Sequence, residues 1–146
     1  MTDASANRDE AQIRAMIERR ARAVGEKDVD MLVSLYDPDA LLYEVLPPLT
    51  HSGAAVREST ESWLSSYKTR IGYDVRDSVV RVGGDVAFAN YLYFVTGTLN
   101  SGDDVEMWVR ATICLQKRDG AWRVVHEHQS VPFDPESGKA LTNLAP

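Results

Sequence analysis

Cysteine occurs once, at Cys114, so no disulfide can form within the chain and a cysteine-rich metal site is excluded. Long apolar runs are missing too: no stretch approaches the roughly eighteen residues that a membrane span requires. Positive charge is sparse. Against a net charge of -6, the only basic cluster is Arg19, Arg20 and Arg22, which argues against nucleic acid or an anionic membrane as the main partner. The opening MTDASANRDEAQ carries acids and no apolar leader core, so the cytoplasm is the expected compartment. No internal repeat, low-complexity tract or Pro/Gly-rich linker divides the chain.

What remains is an ordinary globular composition in 146 residues, enough for one domain with a real core. That domain is expected to span 1–146, with its core at about 10–133 and a tail at 134–146 rich in turn residues, a loop or an arm swapped with a partner. Over 11–24, Ile13, Met16, Ile17, Ala21 and Val24 recur at helical spacing. Asp28 is placed to cap a short second helix with Val29, Leu32, Val33 and Tyr36 on one face, ended by Asp37-Pro38. A short strand over 40–45 stops at Pro47-Pro48, since neither proline can donate to a ladder. Ser52 can cap a third helix carrying Val56, Trp63, Leu64 and Tyr67. From Tyr73 the period changes to two, and four strands follow over 73–82, 86–99, 105–117 and 121–132, separated by GGD, NSGDD and RDG. Helices first and an antiparallel meander second make an α+β domain, with the helices on one face of the sheet.

Alternation places Trp122, Val124, His126, His128 and Ser130 on one side of the last strand. Because Trp122 and Val124 make that side the more apolar, it is expected to face the helices, with both imidazoles at the end of a hydrophobic wall. Three roles stand open for them: metal ligands, bland residents of the sheet, or acid–base groups of a pocket. A metal site wants roughly three or four ligands, and His51, Glu44 or Glu106 would have to complete it; the pocket role is preferred. Arg20 lies about 20° from Ile13 and roughly 40° from Val24 on a helical wheel, inside the apolar stripe. Either the guanidinium snorkels off the helix edge, or it is buried and needs a carboxylate, for which Glu44 is the first candidate. Alternation does not decide whether Glu44 or Tyr43 faces inward. On the strand VEMWVRATICLQ, one side carries Glu106, Trp108, Arg110, Thr112 and Cys114, and the other is wholly apolar; the polar-aromatic side is assigned to a cavity and the apolar side to a second subunit, with the reverse arrangement as the rival.

The segments KDVDMLVSLYDPDALLYE, SGAAVRESTESW, GGDVAFANY and VRATICLQKRDGAWRVVHEHQSVPF, in that order, resemble the nuclear transport factor 2-like superfamily, especially its SnoaL-like and ketosteroid-isomerase-like bacterial members. The resemblance implies a cone-shaped α+β fold of the cystatin-like kind, a curved antiparallel sheet around N-terminal helices, and a homodimer through the outer sheet face. It also places the general base of the isomerases on Glu44, their oxyanion tyrosine on Arg20 and their second oxyanion acid near Thr112. The donors have changed, and steroid isomerisation is therefore not implied. The function expected is a small-molecule pocket, an acid–base isomerase, cyclase or dehydratase acting on an apolar carbonyl compound without metal or organic cofactor. Glu44 or His128 would be the base, Arg20 or Arg110 the oxygen anchor, and Tyr43, Trp63, Tyr67, Trp108 and Trp122 the walls, beside His126 and Ser130. The alternative is a ligand-binding or oligomer-forming module without catalysis.

Overall fold

The computed structural model describes residues 3–146; Met1 and Thr2 of the expected domain lie outside the described residues. Helix α1 (Asp3–Glu26) is longer than its apolar stripe, and buries Ile13, Met16, Ile17 and Val24 as the spacing requires. Each such side chain, fully buried, contributes about 1.5–3 kcal/mol relative to an exposed one. Asp28 caps α2 (Val29–Ser34), its carboxylate accepting from the Met31 amide at 3.1 Å. That helix ends before Tyr36. Tyr36 and the Asp37-Pro38 pair belong instead to strand β1 (Tyr36–Tyr43), because Tyr36 pairs with Val124 and the buried Asp37 carboxylate takes the Arg118 guanidinium.

After β1 the chain reverses through 44–50 into a two-residue edge strand, β2 (His51–Ser52), and a 3-10 turn (Gly53–Ala55) leads into α3 (Val56–Ser65). Ser52 makes no side-chain cap, contrary to expectation, since the turn separates it from the helix. Gly53 is required there: a Cβ would sit 2.3 Å from the Asp37 carbonyl oxygen, so only glycine lets the turn press against β1. The meander follows as β3 (Gly72–Gly83), β4 (Val86–Thr98), β5 (Asp104–Arg118) and β6 (Ala121–Ser130). Asp119 and Gly120, both at positive φ, form the β5–β6 turn that RDG signals.

The sheet order is β2-β1-β6-β5-β4-β3. It is antiparallel except where β1 runs parallel to β6, a departure from the all-antiparallel expectation. One face packs under α1 and supplies Ala89, Tyr91, Tyr93 and Val95 from β4 and Val109, Ala111, Ile113 and Leu115 from β5. The apolar side of β5 thus forms the core, while Trp108, Arg110 and Thr112 turn outward. The rival arrangement is the one adopted, because a wholly apolar strand face is worth more beneath a helix than in water.

On β6 the inward-facing parity changes partway. Leu115 of β5 pairs with Val124 but Cys114 pairs with His126, so Val125 is an extra residue in a β-bulge. Before it, even-numbered Trp122 and Val124 are buried; beyond it, Glu127 is the buried residue, at 0 % exposure. His126 and His128 consequently stand on the outer face, edge-on to the Tyr43 ring at 4.9 and 5.5 Å. The tail folds back on itself as a loop, joined by a Phe133–Ala140 bridge and a Leu141 amide to Pro132 carbonyl bond of 2.7 Å. Among the described residues no helix is long and apolar enough to cross a membrane.

Candidate functional site

A cavity of about 800 Å³ opens between the inner sheet face, α1, α2, α3 and the 44–50 loop. Its walls are mostly hydrocarbon and aromatic: Leu32, Val56, Trp63, Tyr67, Val95 and Met107 are among them. Trp63 and Tyr67 meet edge-to-face at 6.2 Å, which holds both rings against the α3 side. The size and the lining are those of a small-molecule site with a few polar groups set into an apolar wall.

One polar group comes from β1. Leu42 is fully buried, so alternation carries Glu44, two residues on, toward the interior and Tyr43 away from it. Leu42 also pairs with His51 across the β1–β2 ladder, and the tight 44–50 loop thereby returns an imidazole to the carboxylate. His51 Nε2 lies 3.3 Å from Glu44 Oε2, both half-buried at the cavity wall. Burial raises the Glu44 carboxyl above its ordinary value, an effect His51 partly offsets. A carboxyl so placed exchanges its proton closer to neutrality than a solvated one, with an imidazole beside it to take or return it.

The second polar group lies deeper. Arg20 does meet a buried carboxylate, but it is Glu127 rather than Glu44: the guanidinium donates to Glu127 Oε1, and the Tyr36 hydroxyl donates to Oε2 at 2.8 Å. Both carboxylate oxygens are therefore held, away from the cavity. Burial would lower the Arg20 pKa, and Glu127 together with the surrounding Tyr36, Tyr91 and Tyr73 more than offsets it, so the guanidinium stays charged in its salt bridge to Glu127. Around it stand Tyr73, Tyr91 and Tyr93, whose phenols burial pushes up; all three remain neutral donors at ordinary pH. Tyr93 donates to Gln129 Oε1 at 2.7 Å and stacks on Tyr73 at 4.2 Å. Among the described residues, the Tyr73 and Tyr91 hydroxyls, Arg20 Nε and His51 Nε2 have no hydrogen-bond partner within the protein, so His51 stands at ion-pair distance from Glu44 without a formed hydrogen bond and its Nε2 is free to meet a ligand.

Of the residues singled out in the sequence, Arg20, Glu44, His51, Trp63 and Tyr67 line the cavity. The others do not. Tyr43, His126 and His128 cluster on the outer sheet face, where His126 Nδ1 lies 2.7 Å from the Leu41 carbonyl oxygen. Trp108 stacks there on Phe94 at 4.9 Å beneath Arg76, and Arg110 donates to Ser130 Oγ at 3.1 Å. Trp122 is interior but away from the cavity: its Nε1 donates to Asp9 at 3.1 Å, beside a 2.8 Å bond from Lys117 to the same oxygen, which fastens the N-terminal part of α1 to the sheet. Since His126 and His128 face outward while His51 and Glu44 face inward, the four cannot converge on one metal. Among the described residues no three His, Cys, Asp or Glu side chains are grouped for metal binding.

Glu127, Tyr36, Tyr73, Tyr93 and Gln129 are the polar members of the site that the sequence pattern does not reveal, and His51 enters it only as a candidate metal ligand. The unmatched charge of Arg20 was a signal for Glu127, and the adjacent Val124-Val125 pair, which breaks strict alternation, was a signal for the bulge that turns it inward. A second, more polar groove of about 560 Å³ lies outside the cone between α1 and β3, lined by Arg14, Glu18, Arg22, Arg70 and Asp74 among others.

The model of the SnoaL-like domain matches residues 13–134, most of the chain. No curated protein matches it in sequence. Its structure is similar to that of an NTF2-like protein of unknown function from Pseudomonas putida KT2440, at 28% identity and a TM-score of 0.88, covering 97% of this chain and 99% of that one. It is also similar to an NTF2-like family protein from Streptomyces avermitilis provisionally called a dehydratase (18% identity, TM-score 0.76, 88% and 99% covered). A protein from Xanthomonas campestris provisionally called a calcium/calmodulin dependent protein kinase II association domain shares the fold as well (21% identity, TM-score 0.72, 90% and 87% covered). The α+β architecture, the sequence match over most of the core and these neighbours agree: the chain belongs to the SnoaL-like domain family and has the nuclear transport factor 2-like, cystatin-like fold.

Proposed function

We propose that the cavity binds a small, largely apolar molecule bearing a carbonyl or hydroxyl oxygen, and that Glu44 and His51 move a proton on it. The reaction class is isomerisation, cyclisation or dehydration, none of which needs a redox or group-carrying cofactor. The observation that carries this is the Glu44–His51 pair, 3.3 Å apart at the edge of an apolar-walled cavity. Glu44 takes a proton from carbon next to the ligand carbonyl; His51, held beside it, receives or returns the proton, and the neutral phenol of Tyr73, whose hydroxyl has no partner within the protein, supplies a hydrogen bond to the oxygen where charge develops. Of the two bases expected from the sequence, this reading keeps Glu44, leaves out the outward-facing His128 and adds His51. The relative provisionally called a dehydratase supports the class and says nothing of the substrate.

Exchange of carbon-bound hydrogen in deuterated water tests it without knowledge of the product. Incubated with a panel of neutral enolisable ketones, the protein should label at least one at the α carbon. Glu44→Gln should slow labelling by about a hundredfold or more, within the usual range for a general base. A ligand that binds in the cavity and shows no exchange above background would support the second reading, a binding or assembly module, toward which the similarity to an association domain points.

A further inference from the structure

We infer that Glu127 sets the charge selectivity of the cavity: by pairing with Arg20 it turns the only guanidinium that lines the cavity among the described residues into a neutral hydrogen-bonding end, so that the ligand is an uncharged, ring-containing oxygen compound and carboxylates are excluded. This rests on the reading of the cavity as a ligand site. A lone arginine at the inner end of an apolar pocket would be an anchor for carboxylate or phosphate. Here one of its donors is committed to Glu127, whose other oxygen is closed by Tyr36, and the carboxylate is fully buried. The pair presents no net charge to the cavity, yet Arg20 keeps N–H groups that can serve a neutral acceptor.

The remaining ionisable groups of the lining point the same way. Glu44 and, at the rim, Glu58 are acids, and His51 is the only base besides Arg20. An anionic ligand would be desolvated among carboxylates with no uncommitted cation to meet it. Neutral ring systems meet no such cost, and Trp63, Tyr67, Tyr73 and Tyr93 offer them flat apolar surface. The sequence alone leaves Arg20 as an anchor for an anionic or carbonyl oxygen with Glu44 as its first expected partner, because Glu127 is hidden in the outward parity of its strand.

The test uses two probes of one shape, 2-naphthol and 2-naphthoate, measured by calorimetry at neutral pH. The wild-type protein should bind 2-naphthol and hold 2-naphthoate more weakly by on the order of tenfold or more. Glu127→Gln, checked for native secondary structure by circular dichroism, frees the guanidinium and should strengthen 2-naphthoate by a similar factor with little change for 2-naphthol. Because breaking one side of a buried pair can unfold a protein, the double variant Arg20→Gln/Glu127→Gln provides an independent arm: it should leave 2-naphthoate binding within about twofold of wild type. Equal wild-type affinity for the two probes, a folded Glu127→Gln that keeps the wild-type preference, or loss of 2-naphthoate binding in the double variant would each overturn the inference. Failure of both probes to bind wild type would instead remove the ligand-site reading on which it depends.

Discussion

Glu44 shows how one residue couples the site to stability. Burial raises its carboxyl from the ordinary 4.5, His51 draws part of that back, and Glu127 and Arg20 add smaller opposing effects. The folded chain therefore holds this proton more tightly than the unfolded chain does. Stability associated with Glu44 is fully present below about the unfolded carboxylate value of 4.5, falls as pH rises toward the higher folded value, and stays lower beyond it. Glu44→Gln should accordingly raise Tm relative to wild type at neutral pH, and the gap should shrink as thermal melts are repeated toward pH 4.5. A gap that grows on acidification would contradict the buried carboxyl. At this scale the sequence was informative about burial and not about partners. Arg20 inside the stripe of α1 announced a buried charge, and Glu44 announced an acid at a strand end. The carboxylate that meets Arg20 lies 107 residues away, a distance that no local pattern spans.

Among the elements, the four strands of the meander were legible almost to their ends, because period-two alternation and turn residues such as Asp119-Gly120 act locally. Their faces were less so. A single inserted residue, Val125, leaves every apolar position of β6 in a plausible place in the sequence while exchanging which side holds the functional groups. The pairings Leu115–Val124 and Cys114–His126 flank the bulge directly, so deleting Val125 should close it without turning Glu127 outward. The expected outcome is a lower Tm, from the lost bend and the lost half-buried valine, with cooperative unfolding retained in circular dichroism. Loss of the cooperative transition would mean that the bend itself holds the sheet around α1. The short helix α2 makes the same point in another way: its cap at Asp28 was readable, but its end was not, since Tyr36 leaves the helix to pair with Val124.

For the whole molecule, the outer sheet face is an aromatic and apolar surface left unpartnered within one chain. Phe94 and Trp108 lie stacked under Arg76, Phe88 is 43% exposed, and Tyr43 sits between His126 and His128. Arg76 and Arg110 share this face with Glu106, so a two-fold contact can set basic against acidic groups around an aromatic centre. A second copy of the chain is the occupant expected, and light scattering after gel filtration should give twice the 16.2 kDa of one chain. Trp108→Glu should shift that mass to the monomer while leaving far-ultraviolet circular dichroism unchanged; an unaltered dimer would locate the contact elsewhere. The sequence by itself determined the fold class, the helix-then-meander order and the place of Arg20 inside an apolar stripe, because spacing, capping and turn chemistry are set by neighbours along the chain. The tertiary structure decided which strand faces look inward, that Glu127 and not Glu44 answers Arg20, and that His51 stands beside Glu44 while His128, the alternative base, faces outward. Those outcomes follow from a β-bulge and from ladder registers between distant segments, where the energy of burying one face against α1 outweighs any preference of the strand itself.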